Sequence, residues 1–316
     1  MITQKLLFIF VLSLVVSPGY GQRDNPFKRE VVLFSSDNGL NWQPLSSGLP
    51  DDTQASFLAK KGNEIVLATD NRGLFITHQN RTSWKSVSQS LPTLKINSLH
   101  ISNDEIYVGL YGHGLFKSHD NGNSWESLNG NLQNQNVQSI LVVNGNVLIA
   151  TDLGIFKYNH PLKNWKPTYQ GVQVLSLHEF QGKIIAGTSH GVMISSDDGN
   201  TWRQIHDEGA IHYTAFIEGK IYAMYISGDV YMSENLGNTW SKFSYTPNYR
   251  AYIYELVKVA NDLLMSNSYG LFRSKDQGKT WANYYKEERF VFYDFLVVDN
   301  VVYGATRFAN ESRNRK

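Results

Sequence analysis

Residues 195–202 read SSDDGNTW, and the phrase returns as SSDNGLNW at 35–42, SHDNGNSW at 118–125 and SKDQGKTW at 274–281. All four obey Ser-x-Asp-x-Gly-x-x-Trp. A fifth copy, SENLGNTW at 233–240, has Asn235 in place of the Asp. Two more, THQNRTSW at 77–84 and YNHPLKNW at 158–165, keep only the spacing to Trp. The chain has seven Trp, at 42, 84, 125, 165, 202, 240 and 281, and every one closes a copy. A period near 40 residues is that of a four-stranded propeller blade.

The chemistry of the phrase is structural. Asp and Gly are turn formers, and Gly supplies the positive φ of a tight loop. The carboxylates of Asp37, Asp120, Asp197 and Asp276, and the amide of Asn235, are expected to accept backbone N–H groups inside their own turns. Gly39, Gly122, Gly199, Gly237 and Gly278 give the chain its reversal. Trp42, Trp125, Trp202, Trp240 and Trp281 then bury a large face beside the next strand. These Asp residues are read as turn pins, not catalytic acids. The drifted copies are expected to be looser turns.

The text between the copies alternates like strands. Ala55–Lys60, Glu64–Thr69, Gly73–Thr77 and Trp84–Val87 make one four-stranded unit, punctuated by Gly and Asn. The same grammar recurs at 137–158 and 174–195, and no helix is expected beyond the first residues. The N-terminal copy begins at a third strand, Val31–Ser35. The C-terminal copy ends at a second strand, Val301–Thr306. Together they complete one blade. The expectation is therefore an all-β, seven-bladed propeller of four-stranded antiparallel blades, closed by strand exchange between the termini. It would occupy 22–316 as one domain, at about 42 residues per blade, with blade seven assembled from about 287–308 and 28–50.

The repeated phrase resembles the Asp-box, or bacterial neuraminidase repeat, of sialidase-like propellers, and the resemblance runs through most of the chain. In that family the boxes lie on the outer edge of the blade, away from the binding face. In size and blade number the chain resembles the single-propeller photosystem II assembly and stability factors. That resemblance implies a non-catalytic binding scaffold. Xyloglucan-degrading glycosidases also carry Asp-box propellers, typically two with a cleft between them, whereas one is expected here. The sialidase pattern also departs: there is no Arg-Ile-Pro element and no assignable Tyr–Glu nucleophile pair.

Composition bounds the rest. The 316 residues hold 29 Lys+Arg against 28 Asp+Glu, a net charge of +1, so no global field favours nucleic acid. The hydrophobic share of 41% marks a folded chain. With no Cys there is no disulfide scaffold, thiol nucleophile or Cys-ligated zinc. Lys5, the apolar run from Leu6 to Val16 and the small residues Gly19 and Gly21 fit a secretory signal peptide over 1–21. Cleavage is expected after Gly21, which implies a secreted or periplasmic protein with no membrane span.

In a propeller, the loops between strands two and three share one face with the loops between blades, around the channel mouth. The candidate ligand-binding residues there are Arg72, Arg250, Arg289, Arg307, Tyr111, His113, His190, Tyr252 and Tyr269. Guanidinium forks suit carboxylate, sulfate or phosphate, and the aromatic rings suit a sugar or a peptide. No metal, cofactor or catalytic residue is assigned. The function expected is an exported, non-catalytic propeller that binds a protein segment or an anionic ligand. The alternative is an Asp-box glycoside hydrolase, which needs two carboxylates facing each other across a cleft.

Overall fold

A computed structural model describes residues 30–78, 83–243, 251–285 and 290–308. Among them every regular element is a strand, and there is no helix. Seven four-stranded antiparallel sheets form seven blades. Blade one is Ala55–Lys61, Glu64–Thr69, Leu74–His78 and Lys85–Ser86. Blades two to six follow in chain order and begin at Ile96, Val137, Val174, Ile211 and Ile253.

The seventh blade is a composite. Phe290–Val298 and Val301–Phe308 are its inner two strands, and Val32–Ser35 and Gln43–Pro44 its outer two. The seam runs antiparallel from Val32 opposite Ala305 to Ser35 opposite Val302. Thr306 adds a hydroxyl donation of 2.5 Å to the Glu30 carbonyl. Seven sheets closed this way leave no outer gap in the ring.

In blades one to six the second strand is buried at every residue but its first, because both of its faces pack against neighbouring blades. Separate apolar clusters fill the inter-blade spaces. One holds Val32, Leu67, Phe75 and Trp84, and another Leu148, Ile155, Leu177 and Met193.

Five intact turns share one geometry. The Ser hydroxyls of 35, 118, 195, 233 and 274 each accept the N–H of the glycine four residues on, at 2.7 to 2.9 Å. The Asp37, Asp120, Asp197, Asn235 and Asp276 side chains accept the N–H of the residue four further on, at 2.8 to 2.9 Å. For Asp120, Asp197 and Asp276, hydroxyl and backbone donors in the turn hold the carboxyl down at about 2. Asp37 also sits at about 2; slight burial pushes its carboxyl up and is outweighed by Ser35 and Asn41.

The tryptophans do more than bury a face. The indole N–H of Trp84 donates to the Leu45 carbonyl at 2.5 Å, and that of Trp165 to Leu128 at 2.7 Å. Trp240 reaches Ile205 at 2.7 Å, Trp125 reaches Val87 at 3.3 Å and Trp202 the Thr168 hydroxyl at 3.2 Å. Each bond crosses to the preceding blade. The pattern changes around the last junction. Trp281 bonds its own Gly278, and Trp42 packs on Phe292 at 4.7 Å with its indole N–H unpartnered. There Arg273, buried and paired with Asp262, spans blades six and seven with a 3.1 Å bond to the Asn38 carbonyl.

One expectation on the turns is corrected. The copy at 158–165 is not a loose turn. Its ladder runs from Gly154 opposite Gln170 to Asn159 opposite Asn164, so blade three has a seven-residue outer strand, Asn164–Gln170. Without the Ser and Asp that organise the other turns, strand pairing continues to the hairpin tip. In the other drifted copy residues 79–82 lie outside the described residues, as do the proposed leader at 1–21, Arg250 and Arg289.

Candidate binding face at the channel mouth

The innermost strand of a blade has one paired edge and one edge facing the channel. Its channel-side N–H groups need other acceptors. Each of the seven inner strands carries a register shift at its upper end, which leaves one extra residue per blade. These residues are Ser56, Asn97, Gln138, Leu175, His212, Tyr254 and Tyr293. A bulge bends its strand and re-aims the side chain, so the ring of bulges decorates the channel mouth.

On blades five to seven the decoration is aromatic. The His212 ring lies 4.3 Å from Tyr252, Tyr252 lies 5.3 Å from Tyr254, and Tyr254 lies 5.3 Å from Tyr293. The Arg307 guanidinium closes this arc, 3.7 Å above the Tyr293 ring. It also donates to the Ala55 carbonyl at 2.6 Å and the Ser56 hydroxyl at 2.5 Å, bridging blades seven and one. His212 donates from Nε2 to the Ile253 carbonyl at 2.7 Å. Burial pushes this imidazole down to about 4, so it is neutral in ordinary buffers.

On blades three and four the decoration is amide-rich. Asp152 receives Gln173 at 2.8 Å and Gln138 at 3.1 Å on one carboxylate oxygen, and Asn136 at 3.2 Å on the other. Burial works to raise its pKa, but these amide donors prevail and hold it below the ordinary range.

Below the mouth, side chains of one blade satisfy the channel-side N–H groups of the next. Ser139 accepts from Leu177 at 3.1 Å, Asp294 from Leu58 at 2.7 Å, and Glu255 from Phe295. The His100 Nε2 accepts from Val142 at 3.2 Å. Burial pushes His100 and His178 down to about 4. It pushes Glu255 well up, helped by the charge of Asp294, while Tyr213 donates to it. Asp294 keeps some surface open to the channel but is enclosed by protein. Burial raises it to about 7, against the opposing pull of the Leu58 N–H and of Arg307. The two carboxyls therefore hold at least one proton near neutrality. A cavity of about 430 Å³, lined by His178, Phe180, Tyr213, Phe216 and Glu255, opens beside them.

The outward surface of the mouth is apolar in patches. Nine large apolar or aromatic side chains are exposed among the described residues. Six lie on this face: Leu94, Tyr111, Leu153, Ile226, Tyr252 and Tyr269, with Tyr111 at 59% and Ile226 and Tyr269 at 51%. Tyr111, Leu153, Ile226 and Tyr269 occupy the loop between strands two and three of four different blades. Each such residue faces water at a free-energy cost that burial would remove.

The residues singled out from sequence fall into three groups. Tyr252 and Arg307 belong to one continuous aromatic arc. Arg72 is held elsewhere, in a two-armed pair with Asp52 whose Nε arm is 2.9 Å; both partners are exposed. Tyr111, His113, His190 and Tyr269 sit on separate loops, with His190 bonded to the Ser189 hydroxyl at 2.8 Å. No group of three or more metal-ligating side chains occurs among the described residues. The sequence reading missed the bulge residues Tyr254, Tyr293 and Gln138, and the channel pair Glu255–Asp294. An acidic residue directly after an aromatic one in the upper half of an inner strand, as in IYEL and FYDF, was the available signal.

No protein-family model matches the sequence, and the comparison with curated proteins finds no match. Among solved structures the chain is similar to YCF48 bound to D1 peptide, with a TM-score of 0.65 and 17% identity over 80% of this chain and 93% of that one. YCF48 from Cyanidioschyzon merolae gives 0.62 and 16%, over 82% of this chain and 96% of that one. The GH74 xyloglucanase from Xanthomonas campestris gives 0.58 and 15%, over 77% of this chain but 46% of the enzyme. At these identities the likeness is one of fold.

Proposed function

We propose that this chain is an exported, non-catalytic binding propeller whose channel-mouth face takes a segment of a partner protein. The observation that carries the reading is the concentration of exposed apolar side chains on that face, six of nine. Such clustering marks a surface that is covered in use. The aromatic arc from His212 to Tyr293 adds rigid stacking area at low entropic cost. One similar fold, YCF48, has a peptide bound, which makes a peptide a natural occupant for this architecture. The repeated Ser-x-Asp-x-Gly-x-x-Trp turns favour membership among Asp-box propellers, and the apolar run after Lys5 favours export.

The alternative, a glycoside hydrolase, draws on the GH74 likeness. Here two of the upper-face carboxylates are committed, Asp52 to Arg72 and Asp152 to neutral amides, while Asp51 and Asp70 stand exposed on their loops. Glu255 and Asp294 are committed to backbone N–H groups. That leaves the carboxylate reading with less support. The test is affinity capture from the native periplasm or medium, using the chain and a Tyr111→Ser, Ile226→Ser, Tyr269→Ser variant, beside a screen for polysaccharide hydrolysis. A partner retained by the first and lost by the second is the expected result. Clear polysaccharide turnover overturns the reading.

A further inference from the structure

Asp152 is unusual among the acidic groups of the mouth in how it is held. Asp52 is neutralised by Arg72 and Asp229 by Lys242 at 2.7 Å, while Asp51 and Asp70 are exposed to water rather than held by donors among the described residues. Asp152 has no cationic partner among the described residues. Its partners are neutral carboxamides, those of Asn136, Gln138 and Gln173 with Asn134 beside them. Asn136 is itself set by a bond from its N–H to the Asn134 side-chain oxygen at 2.8 Å. The donors come from three places: the linker into blade three, the inner strand of that blade, and the linker into blade four.

This arrangement fixes a carboxylate in position without discharging it. Neutral donors lower its energy as an anion, so it stays ionised despite partial burial, and its full unit of charge remains. Each carboxamide that spends a donor on Asp152 still brings an oxygen acceptor to the same place. The result is rich in acceptors and carries one negative charge. Leu153, the next residue, is 45% exposed and offers an apolar surface beside it. A charged head with an aliphatic stem matches both features.

We propose that Asp152 is the recognition point for a basic side chain, Lys or Arg, of the protein segment that occupies the channel mouth. The inference rests on the peptide-binding reading above and specifies the chemistry of its ligand. It places the basic residue over blades three and four, while apolar and aromatic residues of the same segment meet the arc on blades five to seven.

The probe is a phage-displayed library of random peptides, selected on the folded full-length chain and, in parallel, on Asp152→Asn. Peptides enriched on the parent chain are expected to share a Lys or Arg at one position. In a synthetic peptide from that set, changing the Lys to norleucine should weaken binding to the parent about tenfold, as for a desolvated charge pair. The same change should have little effect with Asp152→Asn. Because the peptide-side change leaves the protein untouched, it remains decisive if the Asp152→Asn substitution disturbs the rim. Enriched peptides with no shared basic position, or a norleucine change that costs nothing, overturn this inference and leave the peptide reading standing. Failure to enrich any peptide removes both.

Discussion

Replacing Asp294 by Asn should stabilise the protein at alkaline pH. Asp294 accepts the Leu58 N–H, and Asn keeps that acceptor while removing the ionisable proton. In the folded chain, burial raises the Asp294 carboxyl from 3.8 to about 7. The groups around it are Glu255, which is also raised, Arg307 above, and Tyr213 on the far side of Glu255. A carboxyl raised on folding takes up a proton as the chain folds. Its contribution is therefore intact below the unfolded value, and stability is lost as pH climbs from about 4 to about 7. Expressed in full, that gap corresponds to ~4 kcal/mol. Water reaching Asp294 through the channel, and sharing of the proton with Glu255, reduce it to the order of 2 kcal/mol. For a chain of this size that is a gain of about 4 °C in thermal midpoint at pH 8. The assay is thermal unfolding followed by circular dichroism in steps from pH 4 to pH 9. The advantage of Asp294→Asn should grow through the window and level off above pH 7, and Glu255→Gln should behave alike. A variant that is less stable than the parent at pH 8, with an unchanged pH profile, would refute the reasoning, because it would mean that the charged carboxylate is what the blade junction requires.

Four further outcomes follow from the turns and the indole bonds. Gly278→Ala should fail to fold or lose most of its stability in chemical denaturation, since a Cβ there meets the Phe243 ring at 1.9 Å on a backbone of φ +88°. Ser195→Ala leaves the buried Gly199 N–H without its acceptor and should cost about 1–2 kcal/mol by urea titration. Trp165→Phe keeps an aromatic ring but removes the bond to Leu128, and should cost about 1 kcal/mol by the same measurement. In acid, the four turn carboxyls held at about 2 should make stability fall between about pH 4 and pH 2; a flat profile there, read by Trp fluorescence, would contradict the assigned bonds.

The architecture was legible because it is written periodically. One Trp per blade and one Ser-x-Asp-x-Gly turn in most blades give a count and a phase, and the half-blades at 31–45 and 290–308 show how the ring ends meet. The site was less legible because it depends on neighbours distant in sequence. Arg72 reads as a free guanidinium until Asp52 is placed beside it, 20 residues away. Tyr293 and Arg307 stack because they lie on paired strands close in register, at a bulge the alternation does not announce. Glu255 and Asp294 are 39 positions apart in sequence, and only the ring makes their blades adjacent. The indole bonds were hidden for the same reason: Trp84 belongs to one blade and Leu45 to another.

The composite blade has a consequence for the order in which the molecule can form. Val32–Ser35 finds its inner partner only in Val301–Phe308, at the opposite end of the described chain. Every other strand pairing lies within a hairpin and can form as soon as its two halves exist. A chain emerging from its N-terminus thus carries a strand with one open edge while six blades assemble behind it. Closing so long a loop is slow relative to hairpin formation. Until it closes, the inner edge of Val32–Ser35 is open to any other extended segment, including the matching Val301–Phe308 of a second molecule. Strand exchange between two molecules is therefore the misassembly that this closure invites during crowded synthesis.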